Sequence, residues 1–162
     1  MPSPTMQAPT FPRNSAARAH RTRTAASKSL SKSSSSPNGE CMGYIMGKAE
    51  GVGENWHGHI SAVTVAPNFR RLGLAAMLID VLEVITEEVH DGYFVDLFVR
   101  VSNLLAINMY KKFGYTVYRR VLGYYGAEED AFDMRKAMGR DPHKKSMVPL
   151  DHPVYPEDLE CD

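Results

Sequence analysis

Two cysteines in 162 residues, Cys41 and Cys161, are too few and too far apart for a disulfide framework. Their spacing fits no metal-ligand motif either, and a reduced compartment suits the chain best. No stretch of 18 uncharged apolar residues occurs, which argues against a membrane-spanning helix. Residues 1–11 lack the apolar centre of a secretory signal. Acid is absent from residues 1–39, which carry six Arg or Lys at positions 13, 18, 21, 23, 28 and 32. The remainder holds 13 basic and all 19 acidic residues, a balance of −6. A mildly acidic body therefore carries a basic N-terminal segment. Six dispersed charges without interleaved aromatics are a weak nucleic-acid signature.

Large apolar side chains are scarce before residue 41, where Ser, Ala, Pro, Thr and Arg dominate. Such a segment buries too little to offset its ordering entropy, so residues 1–41 read as disordered. The same Arg- and Ser-rich, acid-free composition also matches an organellar transit peptide. One folded domain is expected over residues 42–140, then an extended tail over 141–162 punctuated by Pro142, Pro149, Pro153 and Pro156. Residues 43–49 and 56–66 read as a hairpin of two strands around a Gly-rich turn. Residues 74–89 read as a helix, because Leu74, Leu78, Val81, Leu82, Ile85 and Val89 recur at 3–4 spacing. Residues 93–99 form a β-prone segment with a single charge, hence a central buried strand. Ser102 or Asn103 caps a second helix that closes at Gly114. Strands over 115–122 and 131–136 complete the domain.

Between the second strand and the first helix stands Arg70-Arg71-Leu72-Gly73-Leu74-Ala75. A strand, a Gly-containing turn with adjacent arginines and a helix starting at that turn make an anion site. Amide N–H groups at the helix start point outward, and the helix dipole favours negative charge there. Many phosphate-bearing ligands suit this arrangement. On the second helix, Asn103, Ala106 and Tyr110 share one face, since their separations are three and four residues. Taken alone, that face reads first as a capping amide, a packing alanine and a core tyrosine.

The two signatures in this order, Val-x-x-Pro-x-x-Arg-Arg-x-Gly-x-Ala and Asn-x-x-Ala-x-x-x-Tyr-x-x-x-Gly-Tyr, resemble the GNAT superfamily of acetyl-CoA-dependent N-acetyltransferases. The likeness covers about residues 42–138. Within it, the segments 42–48, 56–59, 70–76, 94–103, 131–137 and 149–158 are similar to the catalytic subunits of NatB-type complexes. The resemblance implies an α/β fold, a mixed, mainly antiparallel sheet with helices on both faces. It implies acetyl-CoA as co-substrate, no metal, and transfer of acetyl to the α-amine of proteins beginning Met-Asp, Met-Glu, Met-Asn or Met-Gln. A large auxiliary subunit, nascent polypeptide N-termini and the ribosome are the implied partners, with no direct nucleic acid and no membrane. The implied location is cytoplasmic with a secondary nuclear pool, ahead of organellar targeting by residues 1–40.

By the same resemblance, Arg70, Arg71, Leu72, Gly73, Leu74 and Ala75 cradle the CoA pyrophosphate. Val63 and Val65 offer backbone to the pantetheine arm, and Asn103 adds a side-chain contact. Tyr110 attends the departing sulfur; a core tyrosine is the alternative. His59 is the candidate general base, against a structural histidine or water as base. His59 and Ser61 flank the second substrate residue, and Tyr124 and Tyr125 hold the substrate backbone, with plain packing as the alternative. His57 and His59 form a possible metal pair without a third ligand. The family begins with a strand and two helices before residue 42, and here a Ser/Arg/Pro-rich stretch stands in their place. Low stability alone and impaired activity are the expected consequence. Two further readings stay open: a catalytically impaired form that keeps CoA or partner binding, and a GNAT acting on another amine.

Overall fold

The computed structural model describes residues 28–126 and 129–161. In chain order it contains strand β1 (Lys28–Ser35), β2 (Cys41–Glu50) and β3 (His57–Val65), helix α1 (Leu74–Val84), and β4 (Phe94–Arg100). Helix α2 (Leu104–Lys112), β5 (Thr116–Val121) and β6 (Ala131–Ala137) follow. One sheet runs in the order β1-β2-β3-β4-β6-β5. Only β3 and β4 pair in parallel, and every other neighbour is antiparallel. This is the mixed, mainly antiparallel α/β sheet expected, and every strand and helix foreseen from residue 43 onward is present.

Two expectations need correction. Residues 28–35, read as disordered, pair with β2 from Lys28↔Ala49 to Ser35↔Cys41. A Ser- and Lys-rich segment carries no apolar alternation to announce a strand. It needs none at a sheet edge, where lysines suit the solvent-facing side. Residues 1–27 of that disorder reading lie outside the described residues. The second correction concerns the helices. Leu78, Ile79 and Leu82 of α1 and Ile107 of α2 join a single core cluster with Ile45, Ile60, Val95, Leu97, Val99 and Met134. Both helices therefore cover the same face of the sheet. Among the described residues no α-helix covers the opposite face, where Tyr44 and Met46 are exposed.

Helix α1 approaches the sheet closely because the strands offer glycine there. A Cβ on Gly47 would stand 2.6 Å from Leu82 Cδ1 and 2.6 Å from the His59 carbonyl oxygen. Beyond Val84 the helix widens into a π turn, Ile85–Val89, whose Thr86 is fully buried. A Cβ on Gly58 would lie 2.1 Å from Thr86 Oγ1, and one on Gly92 2.6 Å from Thr86 Cγ2. Turning the Thr86 side chain does not clear the space, because its Cβ itself would stand 3.1 Å from a Cβ on Gly58. Gly58→Ala is expected to lower stability by about 1–3 kcal/mol through overpacking. Urea unfolding checks this; a change under about 0.5 kcal/mol would show that the π turn yields.

The C-terminal tail follows the β5 edge. Leu150 N–H donates to the Tyr118 carbonyl, Val154 N–H to Arg120, and Leu122 N–H to Val154. Short 3₁₀ turns at Lys145–Met147 and Pro156–Cys161 interrupt its extended course.

Candidate active site

The sheet opens where chemistry is expected. Strands β3 and β4 pair over three residues only, Gly58↔Val95, His59↔Asp96 and Ile60↔Leu97, then part company. Among the described residues the backbone of 61–65 has no strand partner on that side, so Val63 and Val65 border the gap. At the same point the β2–β3 register slips: Gly47 pairs with Ile60 but Met46 with Ala62, leaving Ser61 as the bulged residue. The extra residue flips the pleat. Ile60 and Val63 then both face the helix side, three positions apart, and His57 and His59 face the other. The bulge was missed in the sequence, although that three-residue interval breaks strict alternation and signals it.

The turn after β3 has the geometry of an anion cradle. Gly73 takes φ +80°, and Arg71 also has positive φ, at 65°. A Cβ on Gly73 would meet nothing within 4 Å, so glycine serves backbone conformation here rather than space. The first bond of α1 runs from Met77 N–H to the Gly73 carbonyl. Amides of Leu74, Ala75 and Ala76 therefore have no helical acceptor and remain donors for an anion. Leu72 is 67% exposed beside them. Arg70 Nε donates to the Val65 carbonyl at 3.3 Å, which folds that side chain back over the end of β3.

On the polar face, His59 Nδ1 lies 2.8 Å from Asp96 Oδ1, and His57 Nε2 lies 3.5 Å from the same oxygen. His57 and His59 thus converge on a carboxylate, and among the described residues there is no cluster suited to a metal. Burial works against a protonated His59 ring. The hydrogen bond and charge of Asp96 outweigh it, so the His59 pKa lies above the ordinary imidazole value. Burial likewise disfavours the Asp96 carboxylate, but His57, His59 and Arg135 bring its pKa down to about 2.

An aromatic wall continues from His59. The Phe98 ring lies 5.6 Å from His59, Tyr124 stacks on Phe98 at 4.6 Å, and Tyr125 meets Tyr124 edge-on at 5.0 Å. Tyr125 O–H donates to the Phe98 carbonyl, pinning the β5–β6 loop to the end of β4. Burial first, then the proximity of Tyr125, pushes the Tyr110 phenol up, so it stays protonated at neutral pH. The Tyr110 ring also packs edge-on against buried Tyr115 at 5.8 Å. His59, Tyr110, Tyr124 and Tyr125, from three separate segments, are therefore brought together around the point where the strands diverge. Ser61 is exposed on the bulge beside them. Asn103 Oδ1 accepts from Ala106 N–H and so caps α2, while its NH₂ can donate to a ligand.

Sequence reasoning missed Asp96 as a site residue, though a lone acid in an apolar strand was the available signal. It also missed Asp133, held by Arg119 and Arg135 on the same face.

Residues 7–115 match the model of the acetyltransferase (GNAT) family. An N-alpha-acetyltransferase 20 of Dictyostelium discoideum is 66% identical over 76% of this chain and 71% of its own length. The N-terminal acetyltransferase B complex catalytic subunit NAA20 of Arabidopsis thaliana is 58% identical over 78% of this chain and 72% of its own. Among solved structures, the NatB acetyltransferase complex bound to CoA and MES aligns with a TM-score of 0.60 at 49% identity, covering 65% of this chain and 71% of that one. With a cradle of free amides, a gap between parallel strands and this breadth of likeness, the chain belongs to the GNAT acetyltransferase family.

Proposed function

We propose that this chain is the catalytic subunit of a NatB-type complex, transferring acetyl from acetyl-CoA to the α-amine of polypeptides that begin Met-Asp, Met-Glu, Met-Asn or Met-Gln. One observation carries the reading: the unbonded amides after Gly73 and the β3–β4 gap lead directly to the wall of His59, Phe98, Tyr124 and Tyr125. Amides of residues 74–76 suit the pyrophosphate, the backbone of Val63 and Val65 suits the pantetheine amides, and Asn103 NH₂ reaches the same side. Acetyl-CoA supplies the acetyl thioester. An α-amine has a pKa near 7.7–8.0, so on the order of a tenth is neutral at cytosolic pH. Nitrogen bonds to the acetyl carbon as the carbon–sulfur bond breaks; the proton lost by nitrogen is matched by one gained by the thiol. His59 is the side chain placed to take that proton. Tyr124, Tyr125 and Ser61 line the approach of the peptide. The implied setting is the cytoplasm, with the large auxiliary subunit and emerging chains at the ribosome.

Exposed Tyr44 and Met46, on a face that no α-helix among the described residues covers, favour a second reading, a catalytically impaired form in which CoA or partner binding persists. Purified chain, acetyl-CoA and a Met-Asp-Glu peptide, with and without the auxiliary subunit, separate the two. Turnover is expected to rise when the subunit is added. Intact CoA binding without turnover in either arm would leave only the second reading, and acetylation of internal lysine peptides alone would reassign the acceptor.

A further inference from the structure

Asp96 is the single acid of β4, and its side chain is only 6% exposed. Resting on the acetyl-transfer reading above, we propose that Asp96 is a positioning residue that holds His59 in the tautomer whose Nε2 lone pair is open to the acceptor amine. An ionised carboxylate only accepts, so the nitrogen 2.8 Å away must carry hydrogen. A neutral ring then has its lone pair on Nε2, the edge turned away from Asp96. One proton passes from the amine to Nε2; the imidazolium so formed lies against the Asp96 charge and returns the proton to solvent.

The surroundings support this division of labour. His57 faces the same oxygen through Nε2, while its Nδ1 lies 2.6 Å from the Asn55 carbonyl. Arg135, opposite Asp96 in the β4–β6 register, donates to Asp133 rather than to Asp96. Glu50 and Lys48 act on His59 from β2 with opposite signs. Asp96 and His59 are also register partners, one position before β3 and β4 part, so the dyad sits at the mouth of the gap.

The test is Asp96→Asn in the full chain, assayed with the auxiliary subunit, beside His59→Gln and the double variant. The plateau of kcat/KM should fall about 10-fold, less than the full worth of a positioned base because Asn keeps part of the orientation. The acid limb should move to lower pH, since burial then acts on His59 against only the mutually opposed charges of Glu50 and Lys48. CoA affinity should hold within twofold, and the double variant should be no worse than His59→Gln. Ring nitrogen shifts in NMR should change from a single Nδ1–H form to a mixture. Losses that simply add, or an unchanged tautomer, would overturn the proposal and leave Asp96 as a strand-pairing residue. Failure of the parent to acetylate any peptide would instead sink the acetyl-transfer reading, and the ring tautomer would still decide the role of Asp96.

Discussion

Asp133→Ala is expected to cost about 3–5 kcal/mol, the largest stability loss of any single change at the polar face. Asp133 is fully buried and accepts from Arg119 Nε at 2.9 Å and from Arg135 Nη2 at 3.1 Å. Both guanidiniums are themselves under a tenth exposed. Burial first and then the nearby Asp96 push the Asp133 carboxyl up, and the two arginines at hydrogen-bond distance oppose that shift. Removing it leaves those two buried cations without their shared carboxylate. Arg135 is further fixed between rings, 4.5 Å over Phe94 and 3.6 Å over Tyr118, so it cannot leave for solvent cheaply. Asp133 is the β4–β6 register partner of Phe98, so the loss should reach the aromatic wall as well. Chemical denaturation measures the change. A loss below about 1 kcal/mol would mean that the other contacts of the arginines suffice, and Asp133→Asn should fall between the two chains.

The sequence carried local order more readily than cross-strand partnership. Helix α2 was legible because Asn103 and Gly114 mark its ends by backbone chemistry that any helix requires; Gly114 indeed takes φ +93°. The anion turn was legible for the same reason, since Gly73 reports a left-handed position. Strand β1 was not, because an edge strand needs only backbone partners, and nothing in Lys28-Ser-Leu-Ser-Lys-Ser-Ser-Ser35 distinguishes that from a linker. The His59–Asp96 pair lies 37 residues apart, and Arg119–Asp133 is set by a register shift between Val117 and Arg119. Charges of opposite sign are common along a chain, and only strand order decides which of them meet. His59 was therefore recognisable as a candidate base, while the carboxylate that orients it was visible only as an oddity in an apolar strand.

Tyr110→Phe is expected to lower kcat by about 10²–10³, the scale of losing one donor to developing charge, with CoA affinity nearly unchanged. The phenylalanine ring keeps the edge contact with Tyr115, so the change removes an O–H and little packing. Burial holds the Tyr110 phenol above its ordinary pKa, whereas a free thiol lies near 8.5. Full proton transfer from Tyr110 to sulfur is therefore uphill, and hydrogen bonding to the charge that forms there is the role left. This makes the pH profile diagnostic. The variant should keep both limbs of the parent profile at the same pH and lower only their height. An alkaline limb that vanishes with the hydroxyl would instead mark Tyr110 as the proton donor. Unchanged kcat would return it to the core as a packing residue. Helix α2 is fixed by the Asn103 cap at one end and by Tyr115 N–H bonding back to the Tyr110 carbonyl at the other, so the hydroxyl is held without help from substrate. A donor placed in advance costs no reorganisation during reaction, which is why one hydroxyl should matter this much in a site whose amine needs so little activation.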